Sequence, residues 1–224
     1  MSWPGGFFLS VIPRLSLLRK DRRLDRGILF EDLKMSFDQI IIRSSSPTFC
    51  NIKAANMFFV KNEIFSKKDF DAWKETFFSY GLMAFSAQIS ETSTAIIVLN
   101  VCWVRKILAD VFVQAYLSEK GYHTSSAFDF VEELFFRMKN NSGFPHEVGV
   151  ILGYPVEDVI EFENHQGHDC KYCGCWKSYS DIENAKDCHC RFTECSRLCK
   201  QWYDEGYSIN QIITKYQKLK VAAA

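Results

Sequence analysis

Residues Ala95-Ile96-Ile97-Val98-Leu99 form an unbroken apolar run. In a strand, successive side chains point to opposite faces, so a run without polar alternation must be covered on both sides. This excludes a sheet with one wet face at that position. The run lies inside a strand-like segment, Thr94 to Val101, and a second such segment, Leu82 to Ile89, precedes it across Ser90-Glu91-Thr92-Ser93. So short a polar link makes an antiparallel hairpin the simplest pairing.

Helical periodicity supplies the covers. Pro47, after three serines, reads as the first position of a helix running to Val60, with Phe49, Ile52, Met57 and Val60 inward. Ser66 caps a helix that buries Phe70, Trp73, Phe77 and Phe78 and stops at Gly81. Val104 to Lys120 reads as one helix, burying Ile107, Leu108, Val111, Ala115 and Leu117, and Ser126 to Lys139 as another, with Phe128, Val131, Leu134, Phe135 and Met138 inward. Val148 to Leu152, β-branched and bounded by Pro145 and Gly153-Tyr154-Pro155, reads as a third strand. Pro155 opens a helix over Val156 to Glu163, Lys177 to Tyr179 is a short edge strand, Asp181 caps a helix to about Tyr203, and Ser208 caps a last one to about Leu219. The expected fold is α+β: a small, mostly antiparallel sheet of three to four strands covered by helices, in a single domain over residues 35–221.

Residues 1–34 differ in character. An apolar stretch, Phe7 to Leu18, is followed rather than preceded by Arg19, Lys20, Arg22, Arg23 and Arg26, the reverse of a secretory signal. Pro4, Gly5, Gly6 and Pro13 break the helix that a membrane-surface anchor would need. Glu31-Asp32 can be encoded by a purine-rich ribosome-binding core at suitable spacing from Met35. The expectation is that Met35 is the true start and that residues 1–34 are a non-native or disordered leader.

Lys+Arg and Asp+Glu both number 27, so the formal net charge is zero. This gives no support for bulk electrostatic binding to nucleic acid or an anionic membrane. No apolar run reaches bilayer-spanning length. Seven of the nine cysteines lie between Cys170 and Cys199. An odd count without an export signal argues for thiols or metal ligands in a reducing, cytoplasmic setting, and against a disulfide framework.

The segment Phe144 to Pro155, followed by Glu157-Asp158-Val159, then Gly174, Trp176-Lys177, Tyr179, Cys195, Cys199 and Gly206-Tyr207-Ser208, resembles the uncharacterised bacterial family catalogued as domain of unknown function 3793, found mainly in anaerobic Firmicutes. Ser46-Pro47-Thr48 and Lys53-Ala54-Ala55-Asn56 are similar to the opening of that family. The resemblance implies a cytoplasmic bacterial protein with the fold of its relatives, and it supplies no catalytic residues. It also implies that Cys173, Cys195 and Cys199 fall where relatives often carry cysteine, whereas Cys170, Cys175, Cys188 and Cys190 are particular to this chain.

Three readings of the cysteines stand side by side: core packing, a metal site, and a redox thiol pair. Cys170-x-x-Cys173 can place two sulfurs on one metal. Cys195 and Cys199, at i and i+4 on a helix, point the same way. The expected ligand set is therefore Cys170, Cys173, Cys195 and Cys199, holding zinc or an iron–sulfur cluster. On the same helix, Cys188, Phe192, Cys195, Cys199 and Trp202 share one face, as core residues would. His146 beside Glu147 is a candidate proton-transfer pair, although adjacent strand residues point apart. Trp176 and Lys177 offer a ring and a cation to a planar ligand. No glycine-rich nucleotide loop, nucleophile elbow or zinc-protease helix occurs. Two functions follow: a binding or accessory protein handling metal, with a redox protein as its candidate partner, or an enzyme using a thiol or the His146/Glu147 centre.

Deleting residues 1–34 is expected to leave the melting temperature unchanged. A fall of several degrees, on the order of 1 kcal/mol in a domain this size, would show instead that the segment packs on the core.

Overall fold

A computed structural model describes residues 35–140 and 143–222. The expected leader lies outside the described residues. Ser36 opens helix α1 (Phe37–Phe49) with a reciprocal cap: its hydroxyl accepts from the Gln39 amide, and the Gln39 side chain accepts from the Ser36 amide. Strand β1 (Ala55–Lys61) follows, then α2 (Lys67–Phe78), β2 (Leu82–Gln88) and β3 (Ser93–Asn100). Four helices come next: α3 (Val101–Leu108), α4 (Val111–Glu119), α5 (Ala127–Asn140) and the single turn α6 (Val148–Ile151). Helix α7 (Val156–Asn164) leads into a small hairpin, β4 (Tyr172–Cys173) and β5 (Lys177–Ser178). The long helix α8 (Ile182–Asp204) and α9 (Ile209–Ala222) complete the order.

The main sheet has the order β1-β3-β2, with β3 antiparallel to both neighbours. Ile97 pairs with Met57 on one side and Phe85 on the other. The odd residues of β3, Ala95, Ile97 and Leu99, face a core built with α3 to α7. The even ones, Ile96 and Val98, face a second core built with α1, α2, α8 and α9. The expected two-sided burial therefore holds, and the fold is α+β. Among the described residues no helix is long and apolar enough to cross a membrane.

Three expected elements are corrected. The helix expected from Pro47 to Val60 is instead the last turn of α1, a turn at Asn51 (φ 62) and the strand β1. Pro47 lies inside the end of α1, and Ser45 and Ser46 turn their hydroxyls back onto the carbonyls of Ile41 and Ile42. The strand expected over Val148 to Leu152 is the short helix α6. The place beside β3 is already taken by β1, and a buried apolar run of this length carries no period of its own. The helix expected from Val104 to Lys120 is two helices, because Asp110 caps a new one by accepting from the Phe112 and Val113 amides. Its restart leaves Val111 and Ala115 exposed. Phe78 and Phe128, expected inward, are exposed as well.

Ile97 is fully buried at the sheet centre. Ile97→Ala is expected to cost about 2–5 kcal/mol in denaturant unfolding. A near-neutral effect would contradict the two-sided burial of β3.

Candidate metal centre and the cysteine-rich face

Helix α1 packs along α8, and that contact assembles a group of thiols. Cys50 is the C-cap of α1; Cys195 and Cys199 sit one turn apart on α8. Their sulfur atoms all lie within 4.8 Å of one another. Cys50 Sγ and Cys199 Sγ are 3.5 Å apart. All three residues are fully buried. From α9, the Tyr216 hydroxyl donates to Cys195. Burial drives the Cys50 thiol far up. Cys199 moves the other way, because hydrogen bonds from Cys195 first and then Cys50 favour its thiolate. Three thiols at this spacing are chemically suited to one soft metal ion, since tetrahedral zinc with bonds of about 2.3 Å sets its sulfurs roughly 3.5–4 Å apart.

The β4–β5 hairpin carries the remaining chemistry. Asp158, in the first turn of α7, is buried and clasps the hairpin. Its carboxylate accepts from Trp176 Nε1 at 2.7 Å, and from the Tyr179 amide, the Ser180 amide and the Ser180 hydroxyl at 2.8 Å each. Burial pushes its acidity down, but these donors outweigh that effect and hold the carboxyl below its ordinary value. Trp176 stacks on Tyr154 at 5.0 Å. Beside them opens a mostly apolar cavity of about 40 Å³, whose lining includes Trp176, Lys177, His146, Phe144 and Phe162. His146 meets the Phe162 ring edge-on at 5.0 Å. Glu147 instead accepts from the Tyr122 hydroxyl at 3.4 Å, inside the core.

Behind Tyr154 lies Lys53, in the turn between α1 and β1. It is 7% exposed, with its ammonium 5.3 Å from the Tyr154 ring centroid and 5.6 Å from that of Phe192. Burial pushes its pKa down to about 8, against the opposing pull of Cys175 and Cys188.

A family model described as a protein of unknown function, DUF3793, matches residues 41–213. The chain belongs to this family. No curated protein and no solved structure matches it. The span matched to DUF3793 contains Cys50, Lys53, His146, Asp158, Trp176, Lys177, Cys195 and Cys199; Tyr216 lies just beyond it.

The residues expected from sequence therefore fall into separate places. Cys195 and Cys199 do sit together, but their partner is Cys50; Cys170 and Cys173 are not in that group. Cys170 and Cys173 hydrogen-bond each other at the hairpin. His146, Trp176 and Lys177 share one cavity, and Glu147 does not face it. Neither Cys50 nor Lys53 is in the expected set. Cys50 stands far from the other cysteines in sequence, so no spacing rule links it to them. Lys53 stands in the segment similar to the family opening, where nothing in the sequence announces its burial.

Lys53 makes stability depend on pH. Its ordinary value is 10.5 and its folded value about 8, so between these the unfolded chain holds a proton that the folded one has released. Stability then rises with pH across that window. Relative to Lys53→Met, the wild-type protein is expected to gain on the order of 3 kcal/mol from pH 7 to pH 11. Urea unfolding of both proteins along this range checks it; parallel curves would contradict a desolvated ammonium.

Proposed function

We propose that this protein is a metal-binding accessory protein of the cytoplasm, holding one soft ion, zinc, on Cys50, Cys195 and Cys199. The observation that carries the reading is the convergence of three buried sulfurs from two helices within 4.8 Å. Zinc takes thiolate ligands in a closed tetrahedral set when its role is structural or storage-like. Tyr216, hydrogen-bonded to Cys195, and Ser46, hydrogen-bonded to Cys199, are the side-chain oxygens that adjoin the trio as sources of a fourth donor. Sulfurs this close leave room for a single ion and not for a cluster of several irons, which favours zinc over an iron–sulfur centre. The ligands must lose their protons, so metal uptake releases acid and ties α1 to α8.

The alternative, an enzyme working through His146 and Glu147, is supported less well. The two side chains have separate partners, one at the cavity and one in the core.

The experiment is elemental analysis of protein purified without oxygen, with cobalt substitution followed by visible absorption. One zinc per chain and a thiolate-to-cobalt band are expected. Cys50→Ala and Cys199→Ala should each abolish both signals, whereas a Cys170→Ala/Cys173→Ala double variant should retain them. Wild-type protein that stays metal-free after added zinc, and gives no cobalt band, overturns the reading. The cysteines would then be packing residues.

A further inference from the structure

A second thiol centre lies apart from the buried three. Cys175 sits in the turn joining β4 to β5, partly exposed, and its sulfur is 3.6 Å from His189 Nδ1 on α8. That contact depends on Gly174. A Cβ there would come within 2.6 Å of Tyr172 Cε1 and 3.1 Å of His189 Nδ1, so only glycine lets the turn approach the imidazole this closely. The Tyr172 ring meets the imidazole edge-on at 6.2 Å.

Lys53 supplies the independent sign that this centre is built for a negative charge. More than nine-tenths buried, it has no carboxylate partner among the described residues; its surroundings are two ring faces and the thiols Cys175 and Cys188. A buried ammonium without an anion is costly, and the groups beside it able to supply a counter-charge are these sulfurs. Burial holds the Cys175 thiol above its ordinary value, and the Lys53 charge is the largest influence working against that rise. Reactive cysteines occur in partly exposed, electropositive surroundings with a base within hydrogen-bond reach.

We infer that Cys175 is a nucleophilic thiol that captures low-molecular-weight disulfides, with His189 as its base and Lys53 as its counter-charge. In the tautomer that leaves Nδ1 free, His189 takes the thiol proton. The Cys175 sulfur then attacks one sulfur of R–S–S–R, the S–S bond breaks, and R–S⁻ leaves and takes the proton from His189. The products are the mixed disulfide Cys175–S–S–R and R–SH, so one disulfide is exchanged for another with no net electron transfer. His189 thus acts on the proton of Cys175 and Lys53 on its charge.

Exposure and chemistry make opposite predictions, which gives the test. Cys102, Cys173 and Cys190 are all more exposed than Cys175. The full-length, reduced protein is treated with 2-hydroxyethyl disulfide for timed intervals, quenched in acid and mapped by mass spectrometry. Cys175 is expected to acquire the adduct before those three. His189→Asn, Lys53→Met and Gly174→Ala should each remove this lead while the rate at Cys102 stays unchanged, the sign that the fold is intact. If Lys53→Met fails to fold, the other two variants decide. Labelling in order of exposure, or a Cys175 rate indifferent to the variants that fold, overturns the inference. The readout is independent of the metal proposal, because Cys199→Ala removes zinc and should leave the Cys175 rate as it was.

Discussion

The two-sided burial of β3 is the constraint from which the rest of this structure follows. A strand with Ile96, Ile97, Val98 and Leu99 all fully buried needs a hydrophobic layer on each face. The sheet has only three strands, so it cannot supply that cover by curling on itself. Helices must, and they come from both ends and the middle of the described residues. The segments α3 to α7 build one layer; α1 and α2 close the other together with α8 and α9.

That second layer is what brings the thiols together. Packing α1 along α8 is a solution to the burial of Ile96 and Val98, and it sets the end of α1 against the middle of α8. Cys50 meets Cys195 and Cys199 there, within a core shared with Phe49, Trp202 and Ile212. Thiols tolerate such a place as small hydrophobes, and the same place excludes water from any ion they hold. The packing and ligand readings are thus one geometry, which an ion would tighten.

The Asp158 clasp performs a similar service for the β4–β5 hairpin, which packs on the first half of α8. A two-stranded hairpin of four residues has too little burial to hold itself. Four donors converging on one buried carboxylate fasten it to α7 and place Trp176 against Tyr154. The same fastening delivers Cys175 to His189 on α8 and leaves Lys53 sealed beneath Tyr154 and Phe192.

What the sequence determined alone was local or periodic. The β2–β3 hairpin, the Ser66 cap, the long helix after Asp181 and the pairing of Cys195 with Cys199 all depend on residues a few positions apart. The sequence is ambiguous where a short apolar segment has no period of its own, as at residues 148–152, or where a proline suits both the start of a helix and its last turn, as at Pro47. Tertiary structure decided the rest. Only the packing of α1 on α8 makes Cys50 the third thiol, only the meeting of Tyr154 and Phe192 over the α1–β1 turn buries Lys53, and only the pairing of β3 with β1 and β2 denies residues 148–152 a place beside it. Each joins residues far apart in the chain, and such meetings are set by which faces must be hidden from water, a property of the whole fold and not of any one segment.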